Sequence, residues 1–246
     1  MPNQPTVLIT GGAKRIGACL TRAFAAAGWH IIIHYGHSEA AAQALAQTLP
    51  SAETVHANLA DPAAATEALK PHLARAHLLI NSAAVFDYDD AHHLDPTTFA
   101  ETLKVNAETP TRLAQILLAS GENRTVIHLL DMKIANPNPD FFSYTMAKNA
   151  LASTVVPLAM AHPKNRIYGL APGAMLPSYD QHPAEHETSG RLNLLRRLTT
   201  PEELAQTALF LATAPLASGQ TVFVDSGQHL LRQPRDVLFL ARQEQG

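Results

Sequence analysis

The sequence feature that most restricts the fold is a regular alternation of short apolar runs with longer Ala- and Leu-rich segments. The apolar runs are often β-branched and predict seven strands, at 7–9, 31–33, 54–57, 77–80, 125–129, 166–170 and 221–225. The segments between them show helical spacing, most clearly at 40–49, 63–74, 99–119 and 202–212. Because parallel neighbours need crossover connections, the alternation predicts a doubly wound α/β fold with a mostly parallel seven-stranded sheet between two helical layers. We expect a single domain over residues 1–246.

Composition excludes several classes of protein. The chain is 46% hydrophobic and 16% charged with a formal net charge of −3, and its basic residues are scattered, so we expect no nucleic-acid partner. It contains no stretch of about 18 apolar residues, so we expect no membrane association. Its N-terminus lacks a basic segment followed by an apolar one, and Cys19 is the sole cysteine. Both features favour a reducing, cytoplasmic location.

A glycine-rich turn connects the first predicted strand to the first predicted helix. The turn runs from Thr10 through Gly11 and Gly17 directly into an apolar helical segment. Glycines let the backbone approach a pyrophosphate, and the start of the helix meets its negative charge. A dinucleotide cofactor is therefore predicted.

The end of the second predicted strand indicates which dinucleotide is bound. NAD-specific proteins place an acidic residue here against the ribose 2′-hydroxyl, but residues 34–38 contain none. Lys14, Arg15, His37 and Ser38 could instead offer positive charge and hydrogen bonds to a 2′-phosphate. The predicted cofactor is NADPH.

Tyr144 and Lys148 are four residues apart in a segment, 143–159, that is predicted to be helical, so they lie on one face. A nearby lysine charge and the charge of the nicotinamide favour the phenolate and would lower the pKa of Tyr144, making it a useful proton donor. Asn81 and Asp131 each follow a predicted strand. The parallel topology brings all four residues to the carboxyl edge of the sheet.

Together these motifs resemble the short-chain dehydrogenase/reductase family, from Thr10 to about Leu230, which implies a Rossmann-like fold. Residues 81–84 are similar to its strand-four motif and Asn106 to the helix asparagine that supports a proton-relay water. The resemblance implies that the catalytic residues are Asp131, Tyr144, Lys148 and Asn106. It implies that the cofactor is bound by Gly11, Lys14, Arg15, Ile16, Gly17, His37, Ser38, Asn58, Leu59, Asn81, Ala83, Tyr144, Lys148, Pro172 and Gly173.

Two departures from the common family pattern resemble the pteridine reductases, including the bacterial dihydromonapterin and dihydrofolate reductases. Arg15 stands where most members have glycine, and Asp131 stands where most have serine. Phe86 matches the aromatic residue that sandwiches the pterin against the nicotinamide. The resemblance implies a substrate site formed by Arg15, Phe86, Asp131 and Tyr144. Asn58 and His37 depart from it, since an Asp and an Arg are usual at these positions.

The predicted reaction is hydride transfer from NADPH to a C=N bond of a dihydropterin, with protonation of the ring nitrogen through Asp131 and Tyr144. Lys148 would bind the nicotinamide ribose, and Arg15 would contact cofactor phosphate and substrate. One alternative is an NADPH-dependent carbonyl or imine reductase of the same family. Another is a catalytically silent dinucleotide-binding sensor, which the complete Tyr-Lys pair disfavours.

Two further segments receive structural predictions. Residues 174–199 follow the sixth strand without regular patterning and are expected to form an insertion near the site, which is a lid over the substrate or, as the alternative, a plain surface excursion. The tail, residues 231–246, contains an apolar run that could pack at a subunit interface or on its own core. Family members are commonly homotetramers, so we expect that assembly.

His182 and His186 lack a third ligand at clear spacing, and we expect no metal site.

Overall fold

The computed structural model describes residues 4–178, 180–214 and 216–244, and its centre is a parallel sheet of seven strands. The strands are β1 Thr6–Thr10, β2 His30–Tyr35, β3 Ala52–His56, β4 Leu78–Asn81, β5 Thr125–Leu129, β6 Arg166–Pro172 and β7 Gln220–Val224. Their order is β3-β2-β1-β4-β5-β6-β7, with every neighbouring pair parallel. The predicted fold class and all seven predicted strands are confirmed.

Helices cover both faces of the sheet. They are α1 Arg15–Ala26, α2 Glu39–Gln47, α3 Pro62–Arg75, α4 Pro96–Leu103, α5 Thr109–Ala119, α6 Phe142–Ala152, α7 Val155–Ala161, α8 Pro183–Gly190, α9 Pro201–Thr213 and α10 Val237–Glu244. Side chains along a strand point alternately to opposite faces, so Val7 and Ile9 pack under α1 and α9 while Leu8 packs under α3 and α5. The central strands are buried on both faces, which explains their continuous apolar sequence.

Two predicted helices are interrupted, and a proline accounts for each interruption. The predicted helix 99–119 is divided into α4 and α5 by a wide π-helical turn, Lys104–Glu108. Pro110 has no N–H, so it cannot make the usual helical hydrogen bond to the carbonyl of Asn106. The predicted helix 143–159 ends at Ala152 and resumes at Val155, because Pro157 cannot donate to the carbonyl of Ser153.

The carboxyl ends of β1, β4, β5 and β6 meet at one edge of the sheet, where the site residues were predicted to converge. Two later segments extend over this edge: residues 174–199, which contain α8, and the C-terminal segment that ends in α10. Helices α8 and α10 pack against each other. Among the helices of the described residues, none is long and apolar enough to cross a membrane.

Candidate active site

The glycine turn after β1 leaves no room for side chains. A Cβ on Gly17 would lie 2.1 Å from the carbonyl oxygen of Gly11, and one on Gly11 would lie 2.9 Å from Cα of Ala83. Gly11 also has a φ of +63°, in the left-handed region that glycine tolerates best. The turn is fastened to the end of β4, because Thr10 Oγ1 accepts hydrogen bonds from the N–H groups of Ser82 and Ala83 at 3.0 and 3.1 Å. This narrow cradle beside the start of α1 fits a dinucleotide pyrophosphate.

A buried histidine on β2 holds the glycine turn in place through a hydrogen bond. His34 Nδ1 accepts the N–H of Gly11 at 3.1 Å, and Nε2 then carries the proton and donates to the carbonyl of Ala57 at 3.0 Å. Burial lowers the pKa of His34 to about 4, so the ring is neutral in the physiological range. His34 is absent from the predicted site, although a polar residue inside an apolar strand is a detectable signal.

The remaining predicted cofactor residues surround this cradle. Lys14 and Arg15 are exposed at the start of α1, where Ile16 is half-buried. His37 is exposed and Ser38 half-buried before α2.

Three further predicted cofactor residues lie after β3 and β6. Asn58 is exposed and its Oδ1 accepts the N–H of Ala60 at 3.0 Å, above the buried Leu59. Gly173 follows β6 with no space for a side chain, since a Cβ would lie 2.5 Å from Gln228 Oε1. Pro172 is the last residue of that strand.

Arg15 adopts an unusual backbone conformation. Its φ is +50°, a value that side-chain-bearing residues rarely adopt, which explains why glycine is the common residue at this position. Its guanidinium donates to the carbonyl oxygen of Pro177 at 2.8 Å. Arg15 therefore connects the cofactor cradle to the segment 174–199, a contact that a glycine could not make.

The predicted catalytic side chains lie close together: Asp131 follows the end of β5, and Tyr144 and Lys148 are in the first two turns of α6. The Tyr144 hydroxyl donates to Asp131 Oδ2 at 3.1 Å, and the other carboxylate oxygen accepts the backbone N–H of Lys133 at 2.9 Å. Lys148 Nζ donates to the carbonyl of Leu129 at 2.7 Å and lies 5.5 Å from the centroid of the Tyr144 ring. The two α6 residues are on one face, as their spacing requires.

The charge states of these groups differ from the predicted ones. Burial and the adjacent Asp131 carboxylate raise the pKa of Tyr144 well above its usual value, so Lys148 alone does not lower it in this arrangement, and the lowering by the nicotinamide charge stays a prediction. Burial also raises the pKa of Asp131 and lowers that of Lys148 to about 8. Tyr144 therefore keeps its proton and acts as a hydrogen-bond donor, while Asp131 gains affinity for a proton.

Asn106 lies in the π-helical turn, and its buried side chain is occupied by the loop after β4. It donates to the carbonyl of Val85 at 2.8 Å and accepts the Val85 N–H at 2.9 Å. Across the described ranges, its side chain makes no hydrogen bond to Tyr144 or Lys148. The side chain thus positions the loop that carries Phe86, the residue next to Val85.

A cavity of about 380 Å³ opens beside the catalytic group and is lined by all four predicted substrate residues, Arg15, Phe86, Asp131 and Tyr144. The Phe86 ring stacks on Phe141 with centroids 4.1 Å apart and meets the Tyr144 ring edge-on at 4.6 Å. A flat, largely apolar wall next to a hydrogen-bonding carboxylate suits a planar heterocycle with polar edges.

Both late segments also line this cavity. Residues of the segment 174–199 contribute Met175, Leu176, Ser178, Gln181 and Ser189, and the C-terminal segment contributes Asp236, Val237 and Leu238. Arg242 of α10 bonds to Asp180 Oδ2 at 3.1 Å and to Glu185 Oε1 at 3.2 Å. The described part of the tail therefore packs on its own chain; residues 179, 245 and 246 of these two segments lie outside the described residues.

Three charged groups that support the site are absent from the predicted set of residues. Asp89 caps the first turn of α6, accepting the N–H of Ser143 at 3.0 Å and bonding to its hydroxyl. Lys133 and Asp236 form a buried ion pair next to Asp131. Asp236 is far from Asp131 in the sequence, so no local pattern could have revealed the pair. Within the described residues, no group of three or more His, Cys, Asp or Glu is arranged to bind a metal ion.

Comparison with known proteins gives a consistent set of relatives. A family model described as "Enoyl-(Acyl carrier protein) reductase" matches residues 11–229. Pteridine reductase 1 of Leishmania tarentolae is 26% identical, covering 94% of this chain and 98% of that protein. Galactitol 2-dehydrogenase (L-tagatose-forming) of Cereibacter sphaeroides is 29% identical, covering 89% and 92%. The crystal structure of FolM alternative dihydrofolate reductase 1 from Brucella suis in complex with NADP superposes with a TM-score of 0.84 at 31% identity, covering 94% and 97%.

Proposed function

The chain belongs to the short-chain dehydrogenase/reductase family, as its motifs predicted, and from this we propose that it is a reductase of dihydropterins. The cofactor is NADPH. The reaction transfers a hydride to a C=N bond of the dihydropterin and a proton to its ring nitrogen. The pteridine reductase and the dihydrofolate reductase among the relatives support this substrate class.

The observation that carries the proposal is the Asp131–Tyr144 hydrogen bond in the wall of the cavity. A carboxylate can accept hydrogen bonds from the amino group and the ring N–H of a pterin edge. Beside a plain carbonyl, an ionised carboxylate would repel the negative charge that develops on the oxygen. Asp131 at this position therefore favours a substrate with N–H donors over a simple ketone.

The chain's own residues supply binding and proton transfer, and NADPH, when bound, supplies the hydride. Tyr144 is protonated and directed at Asp131, so the two side chains form one hydrogen-bonded unit that can release a proton to the substrate nitrogen. Asp131 is half-buried, and its raised pKa allows it to take up a proton between turnovers. Lys148 would hold the nicotinamide ribose, and Phe86 would stack on the substrate ring.

The segment 174–199 acts as the cover of this site in the proposed mechanism. Its residues line the cavity, and it is joined to the cofactor cradle by Arg15 and to α10 by Arg242. Closure over the bound substrate would exclude water from the reacting atoms.

A substrate panel tests the function directly. Purified protein is mixed with NADPH and, in turn, dihydropterins of different side chains, dihydrofolate and simple ketones, and NADPH oxidation is followed by absorbance. We expect turnover of dihydropterins and little of ketones, with the Tyr144→Phe variant as the control for background oxidation. Inert dihydropterins together with rapid ketone turnover would refute the pterin assignment.

The second candidate is an NADPH-dependent carbonyl or imine reductase of the same family. The similarity to a galactitol dehydrogenase favours it, since that relative is named for alcohol and ketone chemistry. The apolar residues Met175, Leu176 and Leu238 in the cavity wall would also accept a non-pterin substrate. The ketone arm of the panel separates this candidate from the first.

We also propose that the enzyme is a cytoplasmic homotetramer. Two separate apolar surfaces support the assembly: Val156 and Met160 on α7 are 53% and 78% exposed, and Leu194, Leu195 and Phe210 are each more than half exposed beside the edge strand β7. A tetramer with two kinds of two-fold interface buries both surfaces. Light scattering tests this directly, and Met160→Glu or Phe210→Glu should each reduce the tetramer to dimers.

The sole cysteine suits a reducing compartment, and cell fractionation tests the location.

A further inference from the structure

A buried ion pair lies beside the Asp131–Tyr144 hydrogen bond and has no part in the function proposed above. The Lys133 ammonium is 2.5 Å from the Asp236 carboxylate, and the two residues are only 4% and 8% exposed. Withdrawing both charges from water costs free energy that their attraction only partly offsets. Stability alone is therefore a weak explanation for placing this pair next to the reacting groups.

The pair is fixed in position by further contacts. Lys133 Nζ also donates to the carbonyl of Asp140 at 3.3 Å, and the ammonium lies 4.8 Å from the centroid of the Phe141 ring. Asp236 Oδ1 accepts the N–H of Leu238 at 3.0 Å, at the start of α10. Neither charge is free to swing into solvent, so each acts from a constant location.

The same lysine is connected to the reacting carboxylate. Its backbone N–H donates to Asp131 Oδ1 at 2.9 Å, on the side opposite the Tyr144 hydroxyl. Lys133 lowers the pKa of Asp131 and Asp236 raises it, while Asp236 also raises the pKa of Tyr144. The two buried charges thus act on the proton donor in opposite directions.

Other charged groups also face Asp131 from the surrounding elements. Lys148 on α6 lowers the pKa of Asp131, and Arg15 on α1 lines the same cavity. Asp140 and Arg235 form a separate ion pair, with Arg235 Nε 2.8 Å from Asp140 Oδ2. Within the described residues, Lys133 is the only one of these residues that makes both contacts. Its ammonium pairs directly with the C-terminal segment, and its backbone N–H donates to Asp131.

We propose that Lys133 and Asp236 are positioning residues, a balanced pair of buried charges that maintains the proton affinity of the Asp131–Tyr144 unit. The C-terminal segment is thereby a functional part of the active site and more than a cover for it. The kinetic readout of this inference rests on the proposed reductase activity, whereas its titration readout does not.

Removing one charge at a time makes the inference testable. Asp236→Asn leaves the Lys133 charge unopposed and should lower the pKa of Asp131, while Lys133→Met leaves the Asp236 charge unopposed and should raise it. Each shift should be about one pH unit, since opposite charges close by commonly shift a pKa by this much or more. The double variant removes both charges and should return the pKa of Asp131 close to that of the unaltered enzyme.

The first measurement is an NMR titration of the full chain labelled with ¹³C at aspartate carboxyl groups. The Asp131 resonance is assigned by its loss in Asp131→Asn, and near-ultraviolet circular dichroism confirms that each variant is folded. If Lys133→Met does not fold, Asp236→Asn and the double variant still make the comparison, because the double variant leaves no unpaired buried charge.

The second measurement is the pH dependence of kcat/KM with the most active substrate of the panel. Activity should fall as pH rises past the apparent pKa of the proton donor, and this limb should move to lower pH in Asp236→Asn and to higher pH in Lys133→Met. A role limited to folding would lower activity at every pH without moving the limb.

Arg235→Gln is the matched control. Arg235 fastens the same segment to Asp140 but does not contact Asp131, so this variant should leave the Asp131 titration unchanged. The inference is overturned if both single variants shift the titration in the same direction, if neither shifts it, or if Arg235→Gln reproduces Asp236→Asn. If the two single variants shift the Asp131 titration in opposite directions but the protein reduces no dihydropterin, the inference is supported and the proposed substrate is refuted.

Discussion

Acidification should destabilise this protein through His34, the buried histidine beneath the cofactor cradle. His34 is 2% exposed, and its Nδ1 accepts the N–H of Gly11, a hydrogen bond that requires the neutral form of the ring. Because the pKa of His34 is about 4 in the folded state and near 6.5 in the unfolded chain, the unfolded state takes up the proton first as pH falls. The stability that His34 contributes is therefore fully present above pH 6.5 and is lost as pH falls toward 4.

The size of this effect follows from the gap between those two pKa values. Each pH unit corresponds to about 1.4 kcal/mol, so the gap amounts to about 3 kcal/mol of unfolding free energy between pH 7 and pH 4. That loss is a large fraction of the stability of an ordinary domain, which is about 5–15 kcal/mol. Protonation also removes the acceptor for the Gly11 N–H, so NADPH should bind more weakly as His34 becomes charged.

Urea unfolding at several pH values between 7.5 and 4.5 measures this effect. His34→Gln keeps a polar side chain but cannot titrate, so the stability difference between the unaltered protein and this variant should shrink by about 2–3 kcal/mol on acidification. His92→Gln, at an exposed position, is the control for the loss of a histidine away from the cofactor cradle. Parallel curves for the unaltered protein and His34→Gln would show that His34 takes up its proton equally in the folded and unfolded states, against this reasoning.

Four further results are expected. Tyr144→Phe should lose about 10²–10⁴-fold in kcat while its NADPH affinity, measured by fluorescence titration, stays the same; full activity would refute its role as proton donor. Asp131→Ser should depress dihydropterin turnover by at least about 10²-fold and spare or raise ketone turnover, so equal losses on both substrates would contradict a pterin-specific role. Arg15→Gly should raise the unfolding free energy by roughly 1 kcal/mol, because the positive φ is no longer strained, yet raise KM because the bond to Pro177 is lost. NADPH should bind more tightly than NADH, and His37→Ala should narrow that difference; tighter NADH binding would remove the 2′-phosphate argument.

The strands were predictable from sequence because burial on both faces leaves little choice of residue. Runs such as Ile31, Ile32 and Ile33 are apolar on successive positions, and all three are fully buried. The helix ends were less predictable, since Pro110 and Pro157 act inside segments whose Ala and Leu pattern continues across them. The hydrophobic pattern shows which face is buried, while backbone hydrogen bonding decides where a helix is interrupted.

The site was predictable only as far as its residues belong to local motifs. Tyr144 and Lys148 share a helix face, and Asp131 lies just after strand β5, so topology alone brings them together. Their charge states were not predictable, because the pKa of Tyr144 depends on burial and on the orientation of its hydroxyl toward Asp131. Asp236 could not be placed at all, since its position depends on how the C-terminal segment returns over the sheet.

Local rules of stability are violated at several positions around the cavity, and the pattern supports its functional assignment. Arg15 and Phe141 both have positive φ values near +50°, although neither residue tolerates that region well, and Lys133 is buried with its charge. Each violation has a consequence at the site: Arg15 reaches Pro177, Phe141 stacks on Phe86, and the buried Lys133 ammonium pairs with Asp236 in the cavity wall. The apolar layers on both faces of the sheet supply the stability that offsets these costs. Positive φ values also occur at Asn123, Arg196 and Ser226, which do not line this cavity, so the contacts of Arg15 and Phe141, and not the strain alone, connect these residues to the site.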